Sequence, residues 1–423
     1  MGATGAAVAA PTLLSGCASG DSDAVRVVVS GNASDRPLWG ALVRRFEARH
    51  PGITLQPVFV SGPASGNDTW TGFFSTVQTR IVGGQKYDLV YAPTEGQLLF
   101  SSRNVLEPLE GYLDRDADAV RDFRSDVDKR VLDQFDAHRP PDGRSYYVPM
   151  GENCPCLLIN RRLFRQAGVE VPHGEWTWDE FERAAVRIHR TTGSYSIAFS
   201  TDLWGFMPWL LTNSAQVLDD TWRKSAIGSG RAREAVEFTR SFVSRGMAPQ
   251  AGGTFDTYAA IHSGKLAMMN GAFNAIVELR HRGYAMDDYA FVPYPHRTRP
   301  ASSVGYGAFG MFKVSDKKDA AWQFVKYAMS KECQDYIAKT GFLGVSPVRR
   351  SSATGPLTRN NAPSGTSFLY GALANSTPVP GVPEQTRIST PFSQAISQML
   401  TGNMAIGSGL KTLDQQISGG LVS

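Results

Sequence analysis

The hydrophobic residues of this chain follow two recurring patterns: short β-branched runs, and longer stretches with a repeat near 3.6. Val25-Arg26-Val27-Val28-Val29 is the first run and predicts a buried strand. Asp35 then stands where an N-cap would, Pro37 falls in the first turn, and Leu38, Leu42 and Phe46 follow at helical spacing. His50-Pro51-Gly52 ends that helix and Ile53-Thr54-Leu55 restarts a strand. A second helix puts Phe73, Val77 and Ile81 on one face and stops at Gly83-Gly84, before a third strand, Tyr87-Asp88-Leu89-Val90-Tyr91. This alternation predicts an α/β fold, a mostly parallel sheet covered by helices.

A second series begins near Tyr146. Tyr146-Tyr147-Val148-Pro149 and Cys156-Leu157-Leu158-Ile159 read as strands joined by a polar bend. Thr177-Trp178-Asp179-Glu180 is a capping box opening a helix with Trp178, Phe181, Ala185 and Ile188 on one side. Arg231 to Arg245 is another amphipathic helix, closed by Gly246. Asp316 is expected to cap a helix striped by Ala321, Phe324, Val325 and Ala328. Residues 351–383, rich in Ser, Thr, Pro, Gly and Asn, are expected to form an irregular wrap.

At 423 residues the chain is too long for one hydrophobic core, so two or three units are expected. An apolar share of 42% against 19% charged residues excludes wholesale disorder. The net charge of +4 is small and no cluster of five Lys/Arg occurs, so no nucleic-acid partner is expected. No long apolar run follows the N-terminus, so the body is expected to be soluble.

Before Cys17 the chain is small and apolar, with Ala6-Ala7-Val8-Ala9-Ala10 and Leu13-Leu14-Ser15-Gly16. This resembles the end of a bacterial lipoprotein signal, in which small residues fit a narrow peptidase cleft and the thiol accepts the lipid. Two or more acyl chains, at ~0.8 kcal/mol per buried methylene, hold a protein stably on a membrane. No Lys or Arg precedes Arg26, whereas a signal peptide begins with positive charge, so a disordered Ala-rich tail stays open as the other reading. Cys154, Cys156 and Cys333 remain. The Cys-Pro-Cys run lacks a second ligand pair for zinc, and a bridge between i and i+2 would be strained. Buried free thiols are expected, with a bridge from Cys333 to one of the pair as the alternative.

Gly305-Tyr306-Gly307-Ala308-Phe309-Gly310 matches G-x-G-x-x-G, but strand-like Met311-Phe312-Lys313-Val314 follows where a dinucleotide site needs a helix. These glycines are read as places where two segments pass closely. The seven histidines are scattered, so neither metal nor cofactor is expected. No G-x-S-x-G elbow or Lys-Ser/Thr phosphate loop is present. A glycosidase needs two carboxylates facing across a cleft, whereas the pairs Glu175/Asp179 and Asp287/Asp288 read as cap or turn residues. Trp204, Phe206 and Trp209, in a stretch broken by Gly205 and Pro208, have two readings: core packing, or flat faces for the C–H side of a sugar ring.

Several pieces share an order and spacing: Phe46-Glu47-Ala48-Arg49-His50-Pro51-Gly52-Ile53, Gly84-Gln85-Lys86-Tyr87-Asp88-Leu89-Val90, Ile159-Asn160-Arg161-Arg162-Leu163-Phe164, Trp176-Thr177-Trp178-Asp179-Glu180-Phe181, Asp319-Ala320-Ala321-Trp322-Gln323-Phe324-Val325 and Gly344-Val345-Ser346-Pro347-Val348. Together they resemble the family 1 extracellular solute-binding proteins of bacterial ABC importers, the maltose-binding-protein-like group. The resemblance implies a two-lobed periplasmic-binding-protein-like α/β fold with a ligand cleft and a crossing-strand hinge. It implies a signal and tether over 1–23, a first lobe over 24–148, a second over 149–301, a return to the first over 302–345, and a segment over 346–423 packing mainly on the second. Matched positions carry Asn32, Tyr91, Thr94, Glu95, Glu152, Trp204 and Phe273 into the ligand site, and proximity and chemistry add Asn153, Trp209, Asn274 and Tyr306.

The expected function is capture of a carbohydrate for the transmembrane permeases of an ABC importer, without catalysis. The protein would be a monomer lipid-anchored through Cys17 on the extracellular face of the cell membrane. Ser30-Gly31 replaces an aromatic that relatives often carry, Phe273 replaces a tryptophan, and Gly407-Ser408-Gly409 interrupts an expected C-terminal helix. Rival readings are the same fold binding a polyol or glycerol phosphate, a secreted glycoside-active enzyme, and a lipid-anchored sensor.

Overall fold

The computed structural model describes residues 23–31, 35–60, 70–251 and 255–421. The first β-branched run forms β1 (Val25–Ser30), paired in parallel with β2 (Leu55–Val60) and β3 (Leu89–Pro93). Val27 and Val29 pack into one apolar cluster and Val28 into another, so β1 is buried on both faces and needs no polar alternation. The long β9 (Ser302–Met311) runs antiparallel between β3 and β4 (Tyr147–Asn153), and β10 (Ser346–Pro347) closes the sheet beside β4. Helices Arg36–Arg49 and Lys318–Met329 pack on one face, through Leu42, Phe46, Phe324 and Val325. Helices Thr71–Val82 and Thr94–Ser101 pack on the other, through Phe73, Val77 and Phe100.

The second sheet has the order β6 (Tyr195–Ala198), β7 (Leu266–Gly271), β5 (Cys156–Asn160), β8 (Tyr289–Val292). Here β6 and β7 are parallel, while β5 is antiparallel to both its neighbours. The Thr177–Glu180 capping box is formed, and the helix it opens, Trp178–Thr192, buries Trp178, Phe181, Ala185 and Ile188 as its periodicity predicts. Each sheet has its own core, which makes this a two-lobed α/β fold.

The chain passes between the lobes three times. It leaves β4 at Asn153 and enters β5 at Cys156, and it returns from β8 into β9. The third passage follows Arg349, which is buried against the first lobe and pairs with Asp122 at 2.6 Å and Asp126 at 3.4 Å. From there β11 (Ser376–Pro378) lies parallel to the start of β9, and helices Thr386–Thr401 and Ile406–Leu421 join the second lobe's core.

Several local expectations change. Asp35 precedes its helix without accepting a capping hydrogen bond, and Lys317 rather than Asp316 stands before the helix at 318. Residues 351–383 contain short helices at Pro356–Arg359 and Ser367–Gly371 as well as β11, each too brief to leave a periodic signature. Gly407-Ser408-Gly409 lies inside a continuous helix. A side chain at Gly409 would meet the sulfurs of Met399 and Met404 at 2.7 and 2.8 Å, so glycine lets the last two helices touch. Cys154, Cys156 and Cys333 are buried free thiols.

Candidate ligand-binding cleft

The crossing strands form the floor between the lobes. In β4 and β9, Asn153 lies opposite Gly305 and Glu152 opposite Tyr306, so the two pairs point to opposite faces. One face carries Trp204. Its indole lies 3.7 Å from where a Cβ on Gly305 would stand, and its Nε1 donates to the Asn153 carbonyl at 3.0 Å. Ser303 Oγ donates to the Trp204 carbonyl at 2.7 Å, fixing the indole over the hinge. The helix bearing it, Leu203–Leu211, is capped by Asp202, which accepts from Gly205 N at 2.9 Å and Ser200 Oγ at 2.5 Å.

Tyr91 shares this face. Its hydroxyl fills the space a side chain on Gly307 would need, which explains a glycine at that step of β9. Both the Tyr91 hydroxyl and Asn153 Oδ1 are buried without a hydrogen-bond partner. Burial raises the Tyr91 pKa, so the hydroxyl stays a neutral donor. Two unsatisfied polar atoms beside an indole are groups that a polyhydroxylated ligand would complete.

The opposite wall belongs to the second lobe. Phe273 and Asn274 open helix Phe273–His281; Phe273 is buried and Asn274 exposed. They face the turn at 341–344 of the first lobe, where Gly344 would place a Cβ 3.4 Å from Asn274 Cβ and Gly341 one 3.6 Å from the Phe273 ring. Asn270, at the end of β7, accepts from Tyr294 OH at 2.9 Å, and its amide nitrogen closes on Gly205 at the foot of the Trp204 helix. On the first lobe's lip, Phe59 is half-buried, with the Arg36 guanidinium 5.1 Å above its ring and Trp39 edge-on at 6.5 Å. Phe59 and Asn270 escaped the sequence reading; the signal was their place near strand ends.

The remaining expected positions separate. Thr94 Oγ1 is already engaged, accepting from Tyr306 N at 2.6 Å and donating to its carbonyl at 3.3 Å, so it ties helix Thr94–Ser101 to the hinge. Glu95 is half-buried in the first turn of that helix. Glu152 and Tyr306 point away from Trp204: the Tyr306 ring packs 5.7 Å from Phe135, on helix Lys129–Ala137. Glu152 is fully buried, with Oε2 accepting from Cys154 N at 3.1 Å and Oε1 unpartnered. Burial, with Asp128 adding to it, pushes its carboxyl up to about 7. Trp209 is a core residue, ringed at 5.3 Å by Phe181, Phe199 and Tyr294. Asn32 and Cys17 lie outside the described residues. Among the described residues no group of three or more His, Cys, Asp or Glu could hold a metal ion, and no helix is long and apolar enough to cross a membrane.

Comparison with known proteins bears on this arrangement. The profile of the family described as bacterial extracellular solute-binding protein matches residues 31–335. A Brucella abortus (strain 2308) protein named as a binding protein is 24% identical over 410 residues, covering 92% of each chain. An ABC substrate-binding protein of Listeria monocytogenes, solved with cycloalternan, superposes with a TM-score of 0.80 at 20% identity, covering 93% of this chain and 98% of its own. The GacH receptor of Streptomyces glaucescens, solved unliganded and with acarbose, gives 0.77 at 22% identity, covering 95% and 98%. At these identities the superpositions establish the two-lobed fold.

Proposed function

The chain belongs to the bacterial extracellular solute-binding proteins, and on that premise we propose that it captures a carbohydrate between its lobes and delivers it to an ABC importer. The observation that carries this reading is the hinge face itself: an indole held over Gly305, with the unpartnered Tyr91 hydroxyl and Asn153 oxygen beside it. An aromatic face next to polar groups on crossing strands suits a ring with apolar C–H faces and hydroxyl edges. The sugars held by the Listeria and Streptomyces proteins support the same ligand class.

In this reading Trp204 stacks on the sugar, Asn153 and Tyr91 bond its hydroxyls, and Glu95 and Asn274 contribute from the two rims. Phe273 backs the second-lobe wall. Hinge closure would exclude water and present both lobes to the permease subunits. No residue is assigned a catalytic role. Cys17 would carry the lipid that keeps the protein, as a monomer, on the extracellular face of the membrane. Arg36 above Phe59 favours one alternative, a phosphorylated polyol, because a guanidinium is the group a phosphate requires.

Thermal melting against mono- and oligosaccharides, polyols and glycerol phosphates tests the proposal. A ligand at ~100 times its dissociation constant adds about 2.7 kcal/mol and raises the midpoint visibly. A saccharide shift with the sugar recovered unaltered is the expected result. A shift with glycerol phosphate alone selects the Arg36 reading, a hydrolysed sugar selects an enzyme, and no shift with any of them removes the carbohydrate assignment.

A further inference from the structure

Behind the hinge, on the face of Tyr306 opposite Trp204, the first lobe holds a second cavity. It encloses about 90 Å³ and opens to solvent at its mouth. Its walls come from helices Thr94–Ser101, Ala117–Asp126 and Lys129–Ala137 and from β4. The interior is apolar, with Leu98, Phe123, Leu132, Phe135 and Met329 lining it. Protein interiors are normally close-packed, so an unfilled space with such walls forfeits contacts that an apolar guest would restore.

The charged residues of its lining have one sign in excess. Arg124, Arg139 and Arg144 stand against the single carboxylate of Asp136. Arg124 and Arg139 share that carboxylate, at 3.7 and 2.6 Å, while Arg144 is exposed and forms no ion pair among the described residues. Gln134 also lines the space, and its side-chain oxygen is buried without a partner. At the mouth, Trp222 of the second lobe stacks on His138 of the first, with ring centroids 3.6 Å apart. An apolar interior with a cationic rim matches a molecule with an apolar body and one anionic end.

We propose that this cavity is a second ligand site, separate from the cleft, that takes a medium-chain carboxylate: the chain lies among Leu98, Leu132 and Phe135, and the carboxylate meets Arg144. The site does not depend on what the cleft binds. Calorimetric titration of the full chain with decanoate, and with decanol as the uncharged analogue, tests it. Decanoate binds with one site per chain and more tightly than decanol. Arg144→Glu lowers decanoate affinity about fivefold or more and leaves decanol unchanged. Leu132→Trp, which fills the interior, weakens both about tenfold or more, and Trp204→Ala changes neither. Should Leu132→Trp fail to fold, the surface substitution Arg144→Glu still decides. Absence of decanoate binding, equal loss with Trp204→Ala, or indifference to both Arg144→Glu and Leu132→Trp would overturn the assignment.

Discussion

Replacing Glu152 with Gln isolates the electrostatic cost built into the hinge. The carboxyl is fully buried between β10 and β9, next to Ser346 and Tyr306, and one of its oxygens has no hydrogen-bond partner. Asp128 faces the same region and is itself paired with Arg130; Tyr306, Tyr370 and Cys154, whose pKa values are all raised chiefly by burial, supply no positive charge. Burial therefore acts against the ionised form, moving the Glu152 pKa from 4.5 to about 7. Between those values the folded protein holds a proton that the unfolded chain has released. Stability from this group is present below the unfolded value and is lost as pH rises through 7. The displacement corresponds to about 3 kcal/mol at 1.36 kcal/mol per pH unit. Gln removes the ionisation and keeps an acceptor for Cys154 N–H, while its unpartnered amide hydrogens cost about 1–3 kcal/mol at every pH. The constant part cancels in the comparison across pH, so Glu152→Gln gains about 3 kcal/mol relative to wild type between pH 4.5 and pH 8. Urea melts at four pH values in that range, followed by far-ultraviolet circular dichroism, measure the two slopes. Parallel pH profiles for wild type and variant would refute a buried, uncompensated carboxylate.

Other expected outcomes separate the two faces of the hinge and check its packing. Trp204→Ala lowers saccharide affinity about tenfold to a hundredfold by calorimetry without moving the apo melting point by more than a few degrees, because the half-buried indole serves the cleft. Trp209→Ala does the reverse, costing about 3–5 kcal/mol in urea unfolding and leaving the affinity of the folded fraction unchanged. Gly307→Ala drives a methyl into the Tyr91 hydroxyl and destabilises by about 1–3 kcal/mol, and Tyr91→Leu in the same chain recovers part of that loss. Asn153→Ala weakens the saccharide while Glu152→Gln at pH 8 does not, and equal effects of the two would contradict the assignment of faces.

The elements were legible where one local signal sufficed. The run Val25–Val29 and the Thr177–Glu180 capping box each specify their structure without help from distant residues. The site was less legible, and the reason lies in parity. In β4 the residues from Val148 to Glu152 are all buried, so no polar alternation marks which face a residue takes, and a bulge between Pro149 and Gly151 shifts the count by one. That shift sends Asn153 to the cleft and Glu152 behind it, whereas the sequence placed both in the ligand site. The two tryptophans were separable in principle. Residues 204 and 209 are five apart on one helix, about 140° around its axis, so a single cleft cannot take both indoles equally. The helix turns Trp209 into the ring of Phe181, Phe199 and Tyr294 and leaves Trp204 over Gly305. What decides between them is the glycine at 305, a hundred residues away, which leaves room for an indole on only one face of the hinge.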